Sequence, residues 1–118
     1  MGMTSEQLRE RTKAFALRVI RLFRSLPNST DAQIIGKQLL RSGTSVGANY
    51  RAVCRSRSKV EFIARLGIVI EEADESAYWL ELLVDTKVMK EEKLDSLLQE
   101  ARELTAIFNA SRSTMRKR

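Results

Sequence analysis

Apolar residues recur at steps of three and four positions along most of the chain, which is the spacing of a helix with one buried face. The chain divides into four such segments, which predict helices over about residues 5–26, 31–54, 59–85 and 91–111. Pro27 marks the end of the first helix, because the residue before a proline is pushed out of helical geometry. No alternation of period two is long enough to predict a strand.

Helices joined by short connections pack most simply as antiparallel neighbours. The pattern therefore predicts an all-α fold, an antiparallel up-and-down four-helix bundle, formed by residues 1–118 as a single domain. One proline and five glycines in 118 residues also favour long helices over turns. The last residues, 112–118, are expected to form a mobile basic tail.

The third predicted helix has apolar residues on two faces. Phe62, Leu66 and Leu80 belong to the stripe that faces the core, whereas Ile68 and Trp79 lie on the other side. A helix at the surface of a lone bundle buries one face, so the second face predicts contact with another copy of the chain. The expected interface residues are Ile68, Glu71, Glu75, Trp79 and Leu82.

The second predicted helix carries a basic face, on which four cations fall within about 80° of one another at 100° per residue. Basic residues continue through the following loop into the third helix. The expected phosphate contacts are Lys37, Arg41, Arg51, Arg55, Arg57, Lys59 and Arg65.

The net charge of +6 is unevenly distributed along the chain. Residues 31–58 contain five Lys or Arg and one Asp, whereas residues 59–88 contain seven acidic and three basic residues. A basic surface of this kind permits nucleic-acid binding. Complementary charges between helices would give the same pattern, and charge alone does not separate the two interpretations.

Two glycines of the second predicted helix are open to two interpretations. Gly43 and Gly47 either let another helix come near or bend the helix, and the sequence leaves both open.

Cys54 is the only cysteine. Without a histidine to activate it, we expect a buried or half-buried structural thiol rather than a reactive one.

The chain has no histidine, which removes the commonest general base and the commonest metal ligand. Glu71, Glu72, Asp74 and Glu75 form the main acidic cluster, and acids within an apolar stripe more often meet arginines than a metal ion. We therefore expect no enzymatic activity, no metal and no cofactor. A lone cysteine and the lack of an apolar run of about 18 residues predict a cytoplasmic protein without membrane association.

Residues 41–83 carry motifs that resemble a known family. Ser45 and Asn49 match its Ser-x-x-x-Asn motif near the end of helix 2, within the string Ser-Val-Gly-Ala-Asn-Tyr-Arg. The other matching positions are Lys59, Glu61 and Phe62 at the start of helix 3, and Glu75 with Leu80-Glu81-Leu82 further along it. Over about residues 12–110 the chain resembles the four helix bundle proteins, also called 23S rRNA-intervening-sequence proteins. Some members are encoded inside insertions in bacterial ribosomal RNA genes.

The resemblance implies a bundle that assembles into a ring-like homopentamer. A related branch, the accessory protein of diversity-generating retroelements, resembles a basic pentamer that binds nucleic acid and a reverse transcriptase. The family offers no agreed catalytic residues. Asn49 and Tyr50 are interpreted as structural, with Asn49 hydrogen-bonding across helices and Glu75 pairing with an arginine. Many relatives have Ala-Glu-Gly after the Asn, whereas this chain has Tyr50-Arg51-Ala52, which makes the position more basic here.

Two functions follow from these features. The first is a non-enzymatic, oligomeric, basic module that binds structured RNA, or other nucleic acid such as DNA, through phosphate contacts. The second is a protein-interaction scaffold with no nucleic-acid partner. In it, the basic face of helix 2 contacts the acidic face of helix 3 in the next subunit. Tyr50 points to the core, so base stacking on this surface is not expected.

Overall fold

A computed structural model describes residues 2–118. It contains four helices, α1 (Ser5–Ser25), α2 (Thr30–Val53), α3 (Lys59–Asp85) and α4 (Glu91–Arg116). Of the residues that the structure describes, 84% are helical and none lies in a strand. Consecutive helices pack against each other and α1 closes weakly on α4, in a molecule 47 Å long and 23 × 20 Å across. The predicted all-α four-helix bundle is therefore confirmed.

Local sequence sets the helix starts. Thr4 forms a capping box with Gln7: the Thr4 hydroxyl accepts from the Gln7 N–H at 3.1 Å, and the Gln7 side chain accepts from the Thr4 N–H at 2.9 Å. Ser58 caps α3 by accepting from the Glu61 N–H at 3.1 Å. These bonds satisfy donors that the first turn of a helix leaves free.

The core consists of the apolar stripes that the sequence predicts, with Phe15, Leu39 and Phe108 fully buried. No helix of residues 2–118 is long and apolar enough to cross a membrane. The core-facing side of α3 also buries residues outside the predicted stripe, which are Glu72, Ser76 and Leu83. Ser76 Oγ lies 2.9 Å from Ser42 Oγ of α2, so a small polar contact joins the two central helices inside the core.

The glycines of α2 bring α1 close. A Cβ atom at Gly43 would lie 2.8 Å from Val19 Cγ2, and one at Gly47 would lie 3.1 Å from Thr12 Oγ1. These distances show that the glycines serve the close approach of α1, the first of the two roles that the sequence leaves open. The helix itself runs without a break from Thr30 to Val53.

The end of α4 differs from its prediction. The helix continues to Arg116, so most of the expected mobile tail, 112–118, is helical. No proline or glycine interrupts this stretch, Met115 is half-buried, and basic side chains in a last turn suit the helix dipole. Arg112 also donates to the side chain of Asn109 at 3.0 Å.

Polar groups bridge the seam between α1 and α4. Arg11 donates to both carboxylate oxygens of Glu100, at 2.8 and 2.7 Å, and reaches Glu103 at 3.1 Å. The hydrogen bonds to Glu100 raise the pKa of the Arg11 guanidinium above its ordinary value. Arg18 donates to Ser96 at 2.8 Å further along the same seam.

Candidate nucleic-acid interface

Four of the seven predicted phosphate contacts lie at the surface without a charged partner. Lys37, Arg51, Arg55 and Arg57 are exposed, and none forms an ion pair with any residue of 2–118. Arg51 lies in the last turn of α2, and Arg55 and Arg57 follow in the loop to α3. Lys37 lies about 20 Å earlier along α2, at a rise of 1.5 Å per residue. The unpaired cations of the predicted basic face are therefore three arginines at and after the end of α2, with Lys37 far from them.

Arg41 lies at the surface but is paired with carboxylates of its own chain. Its guanidinium contacts Glu72 and Glu75 of α3, each at 3.0 Å. The hydrogen bond to Glu72 raises the pKa of Arg41. Burial raises the pKa of the Glu75 carboxyl, the neighbouring Glu72 adds to the rise, and Arg41 opposes it. Glu75 thus pairs with an arginine, as the sequence predicts, and that arginine belongs to its own chain.

Arg65 and Lys59 are also engaged. Arg65 contacts Glu61 one turn earlier at 2.6 Å and donates to the carbonyl oxygen of Ala52 at 2.8 Å. Lys59 is exposed, and its Nζ donates to the carbonyl oxygen of Arg118. These two side chains tie the start of α3 to the ends of α2 and α4.

Two cations that the sequence analysis did not select join Arg51. Arg9 and Lys13 of α1 line a surface groove of about 490 Å³, across which Arg51 stands on α2. The signal in the sequence is a basic pair one turn apart on α1. It could not be assigned without knowing that this face of α1 lies beside the end of α2.

The predicted interface residues on α3 differ in exposure. Ile68 is 47% exposed, and Glu71 is exposed as well. Trp79 and Leu82 are half-buried, and the Trp79 indole packs edge-on against Tyr78 with ring centroids 5.0 Å apart. The indole N–H of Trp79 is buried and has no hydrogen-bond partner within residues 2–118.

Asn49 and Tyr50 lie inside or against the bundle. Tyr50 is buried with its ring centroid 5.2 Å from that of Phe108, and burial together with the nearby Cys54 raises its pKa to about 12. The Asn49 amide donates to the Ser45 carbonyl at 2.8 Å, within α2. The expected bond across helices is thus wrong, because the carbonyl one turn earlier is the partner within reach. Cys54 is exposed, not buried, since it follows directly after the last residue of α2.

The acidic residues of α3 do not converge on one point. Glu72 and Glu75 turn toward Arg41, whereas Glu71 and Asp74 are exposed. Within residues 2–118, no group of three or more His, Cys, Asp or Glu side chains could hold a metal ion.

The molecule is thus a four-helix bundle with a basic surface at one end. The family model described as "23S rRNA-intervening sequence protein" matches residues 6–110. The chain belongs to this family. It is also similar to a crystal structure from Bacteroides thetaiotaomicron, described as a protein with unknown function from the S23 ribosomal protein family. The two share 33% identity and a TM-score of 0.85 over 94% of this chain and 99% of the other. No curated protein matches the chain.

Proposed function

We propose that this protein is a non-enzymatic, oligomeric, basic module that binds structured RNA through phosphate contacts. The observation that carries the proposal is the group formed by Arg51, Arg55 and Arg57, which are exposed and have no ion pair within residues 2–118. One guanidinium group in the last turn of α2 and two in the loop that follows can each donate to phosphate oxygens. Family membership supports a link with ribosomal RNA genes, through the family's description alone.

Binding of this kind has a defined physical signature. Each phosphate that a cation neutralises releases condensed counterions, so the logarithm of the affinity falls linearly with the logarithm of the salt concentration. The slope is about −0.9 for each contact on a duplex. Phosphate contacts carry little sequence information, so RNA hairpins of different sequence should bind alike.

The test is a titration of a fluorescent RNA hairpin at several salt concentrations. The double substitution Arg51→Glu with Arg55→Glu should weaken binding at least tenfold and make the slope shallower by about two. The matched control is Lys90→Glu with Lys93→Glu, which changes the net charge equally near the start of α4. A flat slope for the unaltered protein, no binding at low salt, or an equal loss in the control would overturn the proposal.

A second function is favoured by the outer face of α3. Val60, Ile68 and Tyr78 are 79%, 47% and 53% exposed, which suits a protein-interaction scaffold built from several copies of the chain. The arginine double substitution separates the two functions. Loss of the oligomer would assign Arg51 and Arg55 to an interface between subunits, whereas loss of RNA binding by an intact oligomer assigns them to RNA.

A further inference from the structure

The groove between α1 and α2 has small residues in its lining and cations on both sides. Thr12, Ala16 and Gly47 line it and are buried or half-buried, and a Cβ atom at Gly47 would lie 3.1 Å from Thr12 Oγ1. Arg9 and Lys13 stand on the α1 side, and Arg51 stands opposite them on α2. The remaining lining residues are Glu10, Thr44 and Ala48.

We propose that this groove seats one strand of an RNA backbone, with Arg9 and Lys13 on one side of the phosphates and Arg51 on the other. The inference rests on the proposed function and names the place where the backbone lies. The groove adds Arg9 and Lys13 of α1 to the binding surface. That surface is then a cleft between two helices and not only the basic face of α2.

The dimensions and chemistry of the groove suit a sugar–phosphate strand. Residues 9–16 of α1 span about 10 Å along the helix axis, enough for two consecutive nucleotides. Arg9 and Lys13 are one turn apart, so their side chains can reach neighbouring phosphates. Ala48 and Gly47 leave room for a bulky backbone to approach. No aromatic residue lines the groove, so it offers no surface for base stacking.

Glu10 makes the proposal testable, because it is the one carboxylate among the lining residues. A phosphate held between Arg9 and Arg51 would be repelled by this carboxylate. The substitution Glu10→Gln keeps the shape of the side chain and removes the repulsion. It should therefore tighten the binding of an RNA hairpin by about threefold, the effect of one partly exposed charge pair.

The control for Glu10→Gln is Glu92→Gln on α4, which changes the net charge by the same amount outside the groove. Attraction of RNA to the overall positive charge would respond equally to both substitutions. A local contact responds to Glu10→Gln alone. Equal tightening by both variants would contradict the groove.

A substitution without charge gives a second, independent test. Ala48→Gln places a long neutral side chain in the groove, on an exposed position of α2 where glutamine is a good helix former. It should weaken RNA binding about fivefold, comparable to the loss of one phosphate contact. Ala106→Gln, at an exposed position of α4, is the matched control and should leave binding unchanged. Thermal unfolding of all four variants shows whether each remains folded.

The outcomes distinguish the groove from the broader proposal. Steep salt dependence of the unaltered protein, together with Glu10→Gln and Ala48→Gln variants that behave like their controls, overturns the groove and leaves RNA binding by Arg51, Arg55 and Arg57 in place. Absence of RNA binding by the unaltered protein overturns both.

Discussion

The sequence predicts Arg41 to be a free surface cation, whereas in the structure it pairs with Glu72 and Glu75. Glu72 is 8% exposed, and a carboxylate with so little access to water is costly without a positive partner. Arg41 is that partner, and the half-exposed Glu75 shares it. The sequence could not indicate this role because the two acids lie 31 and 34 residues away in another helix. Arg51, one residue beyond the core tyrosine, remained at the surface as expected.

Replacing Arg41 by methionine should therefore destabilise the fold. We expect a loss of about 1–3 kcal/mol in the free energy of unfolding, below the range for a fully buried pair because the Arg41 side chain is half-exposed. Urea denaturation measures the change.

The second substitution Glu72→Gln in the same chain provides the control. It removes the uncompensated charge, so the double variant should regain much of the lost stability. An unchanged midpoint for Arg41→Met, or a double variant no more stable than the single one, would contradict the assignment of Arg41 as the partner of Glu72.

At the scale of helices, the spacing of apolar residues predicts the number and the positions of the helices. All four helices begin within one residue of their predicted start, because caps and breakers are local signals. The sequence does not indicate the end of α4, because a run of basic residues is typical both of a tail and of a last helical turn. It does not decide the role of Gly43 either, because the residue that Gly43 approaches, Val19, lies in α1.

Gly43→Ala and Gly67→Ala should shift stability in opposite directions. Both positions lie inside helices, where alanine is favoured over glycine by about 1 kcal/mol. At Gly43 the new methyl group would meet the fully buried, β-branched Val19 at 2.8–3.2 Å, and we expect a net loss of about 1–2 kcal/mol. At Gly67 the nearest atom is Arg112 Nη1 at 3.8 Å, so the gain in helix propensity should remain.

Urea denaturation of the two glycine variants tests the close approach of α1 and α2. Adding Val19→Ala to Gly43→Ala separates the clash from other effects, since it removes the atoms that the new methyl group meets. A stabilising Gly43→Ala would mean that the two helices can separate at no cost.

For the whole molecule, the sequence predicted the fold better than it predicted the surface. The four-helix bundle can be predicted because the apolar stripe of each helix is visible within its own segment of the sequence. The groove lined by Arg9, Lys13 and Arg51 depends on how α1 and α2 lie beside each other, which no single segment specifies. The outer face of α3 was visible as a second stripe, and the structure leaves Ile68 and Tyr78 exposed on it.

The exposed face of α3 predicts self-association. Light scattering should give a mass several times the 13.5 kDa of one chain, and a five-fold value would agree with the ring that the family resemblance implies. Ile68→Glu should shift the protein toward the monomer, because a charge would be buried in the interface.

Ile34→Glu is the matched control for the interface, since Ile34 is 58% exposed on α2. It should leave the mass unchanged. A monomeric unaltered protein at tens of micromolar, or dissociation by the Ile34 variant alone, would place the apolar face of α3 outside any interface.

The polar seam between α1 and α4 has a consequence for how the bundle opens. The central helices α2 and α3 each pack against two neighbours, whereas α1 and α4 contact each other at few points, among them Arg11 with Glu100 and Arg18 with Ser96. A seam with few contacts is less costly to open than a closely packed one, so it can part while the apolar packing between α2 and α3 persists. Amide hydrogens of α1 and α4 should then exchange with solvent through partial opening, at lower free energy than those of α2 and α3.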